Sequence, residues 1–188
     1  MYTFNHTPLS RMAALALLVA APLFSACNND DDNPTPDDDN EQITTMTYTL
    51  TPVGGGTTVT ATYRDLDGDG GAAPVIGSLT LAPNTTYKGV LMLQDETKTP
   101  AVNTTAEILE KADEHLFWFE AAPTGLVSVT STDKDSKGLQ LGLQTDLVTT
   151  TAATGTLKIT LRHQPGTKNG TFAPGDTDVE VLFPTTVR

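Results

Sequence analysis

The stretch "ITTMTYTLTPVGGGTTVTATYR" (residues 43–64) contains two runs in which threonine alternates with larger side chains. A period of two places successive side chains on opposite faces of a strand, and Thr, Val and Tyr favour the half-buried surface of a sheet. The glycines from Gly54 to Gly56 separate the two runs and allow a turn. The stretch therefore predicts a β-hairpin with one face toward a core. The residues predicted to face that core are Met46, Tyr48, Leu50, Val59, Ala61 and Tyr63.

Seven further runs of similar composition follow the hairpin, and short segments rich in Gly, Pro, Asn and Asp separate them. The predicted strands are 75–81, 87–93, 116–121, 126–132, 139–145, 156–163 and 178–183. Together with the hairpin they make about nine short strands, at the close spacing that is typical of β-sandwiches. The sequence therefore predicts an all-β fold, an antiparallel, immunoglobulin-like β-sandwich over residues 43–188.

One segment has a different period. In "NTTAEILEKADEH", which begins at residue 103, the apolar side chains of Ile108, Leu109 and Ala112 recur at helical spacing. Thr104 followed by Glu107 has the spacing of a capping box. The segment therefore predicts one short helix at about 104–113.

The first 26 residues have the composition of an export signal. They contain no acidic residue, and residues 12–24 form an apolar run of 13 residues, shorter than the roughly 20 that a transmembrane helix needs. The small residues Ser25 and Ala26 stand where a signal peptidase cleaves, and Cys27 follows directly. This arrangement resembles a bacterial lipobox, which implies that residues 1–26 are a lipoprotein signal peptide and that Cys27 carries acyl chains such as palmitate. An ordinary secretory peptide followed by a free cysteine is the alternative.

The next segment is acidic and contains no hydrophobic residue. Residues 28–42 read "NNDDDNPTPDDDNEQ" and carry seven of the 23 acids, a composition that buries too little apolar surface to offset the entropy of ordering. Residues 27–42 are therefore predicted to be a lipidated cysteine and a disordered tether. Acids directly after the cysteine resemble the surface-export signal of Bacteroidota lipoproteins, which implies an outer-membrane protein exposed at the cell surface. A plain spacer on a lipoprotein that faces the periplasm is the alternative.

The charge of the chain restricts its partners. The formal net charge is −12 and no cluster of basic residues is present, which argues against a nucleic-acid partner. The sequence also lacks the Gly-x-Ser-x-Gly, His-Glu-x-x-His and phosphate-loop motifs of common enzyme classes. We therefore expect no enzymatic activity. The expected partners are the membrane, through the lipid anchor, and an envelope protein or a glycan.

The loop "DLDGDGG" (residues 65–71) resembles the first half of a calcium-binding loop. Asp65, Asp67 and Asp69 alternate before glycine, a pattern that lets several carboxylates surround a hard cation. Ile76 stands where such a loop has its glutamate, so a Ca²⁺ site would need carboxylates from elsewhere. The candidates for this supplementary role are Asp133, Asp135, Asp176 and Asp178. A solvated turn is the alternative, since Asp and Gly are common in turns.

Two histidines outside the signal peptide are candidate metal ligands. His163 is an even number of positions from the apolar side chains of strand 156–163, and His115 is an even number of positions from Phe117 and Phe119. Each is therefore predicted to point to an apolar face at one end of its strand. If those ends meet, the pair is a candidate for binding a transition metal, or haem through two axial ligands. The alternative is two histidines hydrogen-bonded to the backbone or to a carboxylate such as Glu114.

The sole tryptophan, Trp118, lies in "HLFWFE" and is predicted to face away from Phe117 and Phe119. An exposed tryptophan can stack on a sugar ring, which makes Trp118 a candidate ligand-binding residue. Packing against the preceding helix is the alternative.

Several segments resemble a family of uncharacterised Bacteroidota lipoproteins. They are "TLTPVGGG", "YRDLDGDG", "LAPNTTYKGVLML", "ADEHLFWFE", "LRHQP" and "DTDVEVLFP". The resemblance extends over nearly the whole chain after the acidic segment, and such proteins are sometimes labelled as type 1 periplasmic binding fold proteins. That label implies alternating strands and helices, whereas the residues here predict one helix and about nine strands.

The resemblance implies no catalytic residues. The function we expect is non-enzymatic binding or interaction at the outer membrane. The alternatives are a metal or haem carrier that uses His115 and His163, a glycan-binding domain stabilised by calcium, and an unrecognised hydrolase.

Overall fold

The computed structural model describes residues 41–68 and 70–188. The predicted signal peptide, Cys27 and the acidic segment up to residue 40 lie outside the described residues, as does Asp69. The predictions that concern them stay predictions.

Within these residues the chain forms ten strands and one helix. The strands are β1 (Thr45–Pro52), β2 (Val59–Arg64), β3 (Val75–Ile76), β4 (Leu79–Leu81), β5 (Thr86–Gln94), β6 (His115–Ala122), β7 (Val127–Ser131), β8 (Gln144–Thr149), β9 (Ala153–His163) and β10 (Asp176–Val187). The helix is α1 (Thr104–Glu110).

The strands form two sheets, one with the order β3-β2-β1-β5-β8-β7 and the other with the order β4-β10-β9-β6. Apolar side chains from both sheets belong to a single buried core. Neighbouring strands pair in antiparallel fashion, except that β10 and β4 are parallel. The predicted all-β sandwich is confirmed, with one parallel pair in the smaller sheet.

The opening hairpin shows why the alternating sequence folds this way. Met46, Tyr48 and Leu50 have no exposed surface, and Ala61 on the paired strand is 2% exposed. Burying a large apolar side chain completely contributes about 1.5–3 kcal/mol, so the inward face of β1 is a main source of stability. The intervening threonines of β1 lie on the other face of the sheet.

The hydroxyl group of Tyr48 lies in the core and has a partner there. Its oxygen is 2.7 Å from Oγ1 of Thr145 on β8. The ring passes over β5 at Gly89, where a Cβ atom would lie 2.6 Å from the Tyr48 hydroxyl. Burial raises the pKa of Tyr48 to about 12, so the hydroxyl stays protonated at physiological pH.

Two predicted strands differ from those in the structure. The run 75–81 is divided into β3 and β4, because the chain passes from one sheet to the other between them. Gly77, in this connection, donates its amide to Thr62 O at 2.8 Å. Most of the run 139–145 is not a strand. The carboxylate of Asp133 accepts the amides of Gly142 and Leu143, at 2.8 and 3.0 Å, and thereby occupies donors that a strand ladder would use.

Helix α1 is shorter than predicted and begins differently. Its N-cap is Asn103, without a side-chain capping bond, and Thr104 is the first helical residue. The predicted capping box is therefore wrong. Instead, Oγ1 of Thr105 accepts the amide of Leu93 at 2.6 Å, which ties the helix to β5. None of the described residues belongs to a helix with the length and apolar character of a membrane span.

Candidate functional site

One end of the four-stranded sheet brings together two histidines and two carboxylates. His115 begins β6 and His163 ends β9, and the antiparallel register makes the two residues direct partners. Asp178 lies near the start of β10, beside the same end of β9. Glu41 precedes β1, a strand of the other sheet, and completes the group.

A β-bulge determines the orientation of Asp178. The register of β9 and β10 shifts between Thr177 and Val179, which leaves Asp178 without a partner residue on β9. One extra residue in a strand changes the alternation of side chains at that point. The Asp178 side chain consequently has no exposed surface, although Glu180 and Leu182 farther along the strand are exposed.

The imidazole rings of His115 and His163 stack in parallel, with centroids 4.9 Å apart and planes inclined by 7°. The structure thus brings together the two histidines that the sequence singled out. Two axial haem ligands would bind the iron from opposite faces of the macrocycle, which stacked rings cannot do. In this arrangement the pair does not fit the axial positions of one haem, and the haem carrier that the sequence offered as an alternative stays a prediction.

Both carboxylates lie close to the histidines. Oε2 of Glu41 is 3.0 Å from Nε2 of His115, and Oδ2 of Asp178 is 3.9 Å from the same nitrogen. Potential ligand atoms of Glu41, His163 and Asp178 all lie within 4.8 Å of one another. The side chains of Glu41, His115 and His163 are 6% exposed or less. Four groups with metal-binding chemistry therefore share one buried space.

The hydrogen bonds of His115 fix the position of one proton. Nδ1 is 3.0 Å from the carbonyl oxygen of Lys111, which can only accept, so Nδ1 carries a hydrogen. In a neutral imidazole the other nitrogen is then an acceptor. Nε2 nevertheless faces the Glu41 carboxylate at 3.0 Å, and an ionised carboxylate is also an acceptor. The contact therefore requires a second proton or a metal cation between the two atoms.

Asp178 lacks hydrogen-bond partners. Among the described residues, neither oxygen of its carboxylate receives a hydrogen bond. Burial, followed by the nearby charge of Glu41, raises the pKa of Asp178 from 3.8 to about 7, against the opposing charge of Arg162. An ionised buried carboxylate without partners is destabilising, and a cation beside it would remove that penalty.

The raised pKa of Asp178 predicts that the metal-free protein loses stability as the pH rises. A carboxyl group with a raised folded-state pKa contributes stability that is complete below its unfolded pKa and is lost as the pH rises through the folded one. For Asp178 this window extends from 3.8 to about 7. We expect urea unfolding in the presence of EDTA to show the decline. The Asp178→Asn variant, which stays neutral, should show a smaller decline.

The exposed neighbour Asp176 provides the control for this prediction. Asp176→Asn removes an acid from the same strand end and should preserve most of the decline, since Asp176 is only a minor cause of the shift. A difference in stability between wild type and Asp178→Asn that is constant over the same pH window would contradict the prediction.

An open cleft of about 570 Å³ borders the cluster. Glu41 and Asp178 line it together with Asp65 and Glu180, and its lining residues include no lysine or arginine. A concave surface with charges of one sign concentrates counter-ions. The cleft therefore provides a path along which a cation can approach the buried carboxylates from solvent.

The described part of the loop 65–71 is held by its own hydrogen bonds. Asp65 Oδ1 accepts the amide of Gly68 at 3.0 Å, and Asp67 Oδ2 accepts the amide of Ala72 at 2.7 Å. The bond from Ala72 is the main cause that lowers the pKa of Asp67. These hydrogen bonds are typical of a turn, which was the alternative to a calcium-binding loop. Asp69 lies outside the described residues, and the calcium site stays a prediction.

Trp118 lies on the outer face of the smaller sheet and is partly exposed. Its ring is 5.9 Å from that of Phe172, which in turn lies 4.6 Å from the guanidinium carbon of Arg162. Trp118 also lines a depression of about 210 Å³ together with Gln140. The ring partner of Trp118 thus belongs to the loop after β9, and binding of a sugar stays a prediction.

Sequence reasoning identified both histidines of the cluster but assigned its carboxylates elsewhere. Glu41 was part of the predicted tether, and Asp178 was only a supplementary ligand for the calcium loop. No local pattern distinguishes either residue from the other acids of the chain, because their position depends on tertiary contacts.

We compared the chain with protein-family models, with curated proteins and with solved structures, and none of them matches. The resemblance to Bacteroidota lipoproteins therefore stays a prediction from the sequence, and the function has to be inferred from the site.

Proposed function

We propose that the chain is a lipid-anchored protein of the outer membrane whose folded domain binds a divalent transition-metal ion, with Zn²⁺ the best match. Its ligands are Glu41, His115, His163 and Asp178. The observation that carries the proposal is the Asp178 carboxylate, which is buried and receives no hydrogen bond from the described residues. It lies 3.9 Å from Nε2 of His115 and forms a group with His163 and Glu41.

The ligand chemistry favours a transition metal over calcium or magnesium. Imidazole nitrogen suits Zn²⁺ and its neighbours in the first transition row, whereas Ca²⁺ and Mg²⁺ take oxygen ligands. Bonds of about 2.0–2.2 Å at the tetrahedral angle place two ligand atoms on one Zn²⁺ ion about 3.3–3.6 Å apart. The 3.0 Å between Glu41 Oε2 and His115 Nε2 is slightly shorter, and a bound ion would separate the two atoms by a few tenths of an ångström.

The second contact of His115 also supports a metal site. Ligating histidines usually donate their other ring N–H to a carbonyl or carboxylate, which orients the ring and increases its basicity. The Nδ1 atom of His115 has such an acceptor in the Lys111 carbonyl oxygen, at 3.0 Å. Nε2 is thereby directed toward the space between Glu41 and Asp178.

The number of ligands favours binding over catalysis. Structural zinc sites use four protein ligands, whereas catalytic sites keep one position open for water or substrate. Two histidines and two carboxylates complete a tetrahedral set. We therefore propose a non-enzymatic role for the domain. The proposed location is supported by the resemblance of the Cys27 region to a lipobox and by the acids that follow it.

Zinc is expected to raise the melting temperature of the full-length protein in detergent, and EDTA should reverse the effect. A ligand that binds only the folded state, at 100 times its Kd, adds about 2.7 kcal/mol to the free energy of unfolding. Ca²⁺ and Mg²⁺ should cause a much smaller rise, because the site contains two nitrogen ligands. Calorimetric melting and isothermal titration with each ion measure the two effects.

Single substitutions test the assigned ligands. His163→Ala and Asp178→Asn each remove one ligand and should weaken Zn²⁺ binding by more than about tenfold, since even outer-shell changes have effects of that size. Asp176→Asn, which changes an exposed acid two residues from Asp178, is the matched control and should bind normally. A wild-type protein that binds no Zn²⁺ and melts at the same temperature with and without it would contradict the proposal.

A further inference from the structure

We propose that the metal ion also fastens the segment before β1 to the sandwich, so that occupancy of the site controls where the acidic tether ends. This inference depends on the proposed metal-binding function. It concerns Glu41, which precedes β1 and is therefore connected to the six-stranded sheet. The other three ligands lie on the four-stranded sheet.

Among the described residues, the backbone and hydroxyl hydrogen bonds that hold this part of the chain begin at Thr44. The Thr44 amide donates to Gln94 O at 3.0 Å, and the Thr44 hydroxyl accepts the amide of Glu96 at 2.8 Å. Within the described part of the chain, the backbone of residues 41–43 makes no such bond. Ile43 packs partly against the core, but Glu41 is held through its side chain.

The Glu41 carboxylate has two contacts in the absence of a metal ion. Oε2 is 3.0 Å from Nε2 of His115, and Oε1 is 3.7 Å from Nζ of Lys111. The first contact needs a shared proton, and the second is a long ion pair with a lysine that is 46% exposed. Because that lysine is exposed, the Lys111 contact holds the segment only loosely. The His115 contact joins side chains that are 0% and 5% exposed, and it is the contact that a bound ion would replace.

The other three proposed ligands belong to a rigid frame. His115, His163 and Asp178 lie at one end of β6, β9 and β10, which are adjacent strands of the four-stranded sheet. An ion bound to these strands and to Glu41 would cross-link the two sheets at this end. The folded body would then begin at residue 41 with the ion bound and near Thr44 without it.

Hydrogen exchange of the full-length protein in detergent, followed by mass spectrometry, tests this inference. With saturating Zn²⁺, the Thr44 amide, the first hydrogen-bonded amide after Glu41 among the described residues, should exchange about tenfold more slowly than in EDTA, which corresponds to about 1.4 kcal/mol of local stabilisation. Peptides from the distant β7 and β8 should change much less.

The Glu41→Gln variant separates the inference from metal binding itself. It keeps three ligands and should still load with Zn²⁺ at high concentration, as native mass spectrometry can verify, but the Thr44 amide should lose the added protection. Glu110→Gln, which changes an exposed glutamate at the end of α1, is the matched control and should keep that protection.

Wild-type protein that binds Zn²⁺ without slower exchange of the Thr44 amide overturns the inference and leaves the metal site intact. Loaded Glu41→Gln protein in which the Thr44 amide is fully protected has the same consequence. Absence of Zn²⁺ binding to the wild type overturns both proposals.

Discussion

We expect the Arg162→Met variant to have a free energy of unfolding about 3–5 kcal/mol below that of the wild type, because several charge-assisted hydrogen bonds are lost together. Arg162 is 8% exposed and its guanidinium holds the loop between β9 and β10. Nε donates to Phe172 O at 3.2 Å, and Nη2 donates to Pro174 O at 3.1 Å and to Gly175 O. Methionine keeps the apolar stem but leaves the carbonyl oxygens of Phe172 and Gly175 without this donor, whereas Pro174 O still accepts Gln164 Nε2 at 2.9 Å.

The same substitution should impair the proposed metal site. The loop that Arg162 holds leads into the bulge at Asp178, and the Arg162 charge opposes the rise in the Asp178 pKa. Without that charge the pKa of Asp178 should rise further. A metal ion would then displace the proton of the carboxyl group less readily. Zinc affinity measured near neutral pH should therefore fall together with stability.

Lys158→Met is the matched control for Arg162→Met. Lys158 lies four positions before Arg162 on the same strand. Its side chain is 30% exposed and pairs with Glu120 and Glu180 at 2.7 and 3.4 Å. Removing an exposed pair costs about 0–1 kcal/mol. Urea unfolding monitored by the fluorescence of Trp118, whose ring neighbour Phe172 lies in the same loop, measures both variants. Equal losses of stability in the two variants would refute the role assigned to Arg162.

Replacing Lys168 with methionine should lower the free energy of unfolding by roughly 3–5 kcal/mol, because it leaves a buried charge without its partner. Nζ of Lys168 is 2.8 Å from Oδ2 of Asp135, and the two side chains are 1% and 0% exposed. Nζ also donates to Ala112 O at 2.8 Å, so the lysine joins the end of the helical segment to the loop before β8. Although burial opposes ionisation, Lys168 and the amides of Leu139 and Lys137 lower the pKa of Asp135.

Two further variants isolate the effect of the buried charge. Lys137→Met removes an exposed pair, in which Nζ is 3.1 Å from Asp113 and the lysine side chain is 57% exposed, and should change stability by less than about 1 kcal/mol. Adding Asp135→Asn to Lys168→Met neutralises the orphaned carboxylate and should recover part of the loss. If the double variant is no more stable than Lys168→Met at neutral pH, the unpaired charge of Asp135 is not the cause of the lost stability.

The local sequence predicted the strands and their inward side chains well where one face of the strand is buried. The alternation in residues 43–50 and 59–63 identified the inward side chains of the first hairpin, because exchanging the two faces would expose Tyr48 and Leu50. It failed in the run 139–145, where Leu141 and Leu143 are buried but the amides of Gly142 and Leu143 donate to a side chain. There the Asp133 carboxylate replaces a neighbouring strand, and alternation alone cannot distinguish the two cases.

The sequence by itself determined the all-β class and the parity that turns His115 and His163 toward one apolar face, because both follow from the two-residue period of a strand. Only the tertiary structure decided that the histidines are direct partners, since strand register depends on contacts between distant segments. It alone placed Asp178 inward, through a bulge that changes the alternation shared with Glu180 and Leu182. It alone brought Glu41 next to His115, 74 positions away in the chain. A local pattern specifies which face a side chain occupies, whereas a site built from four separate segments exists only after they have packed.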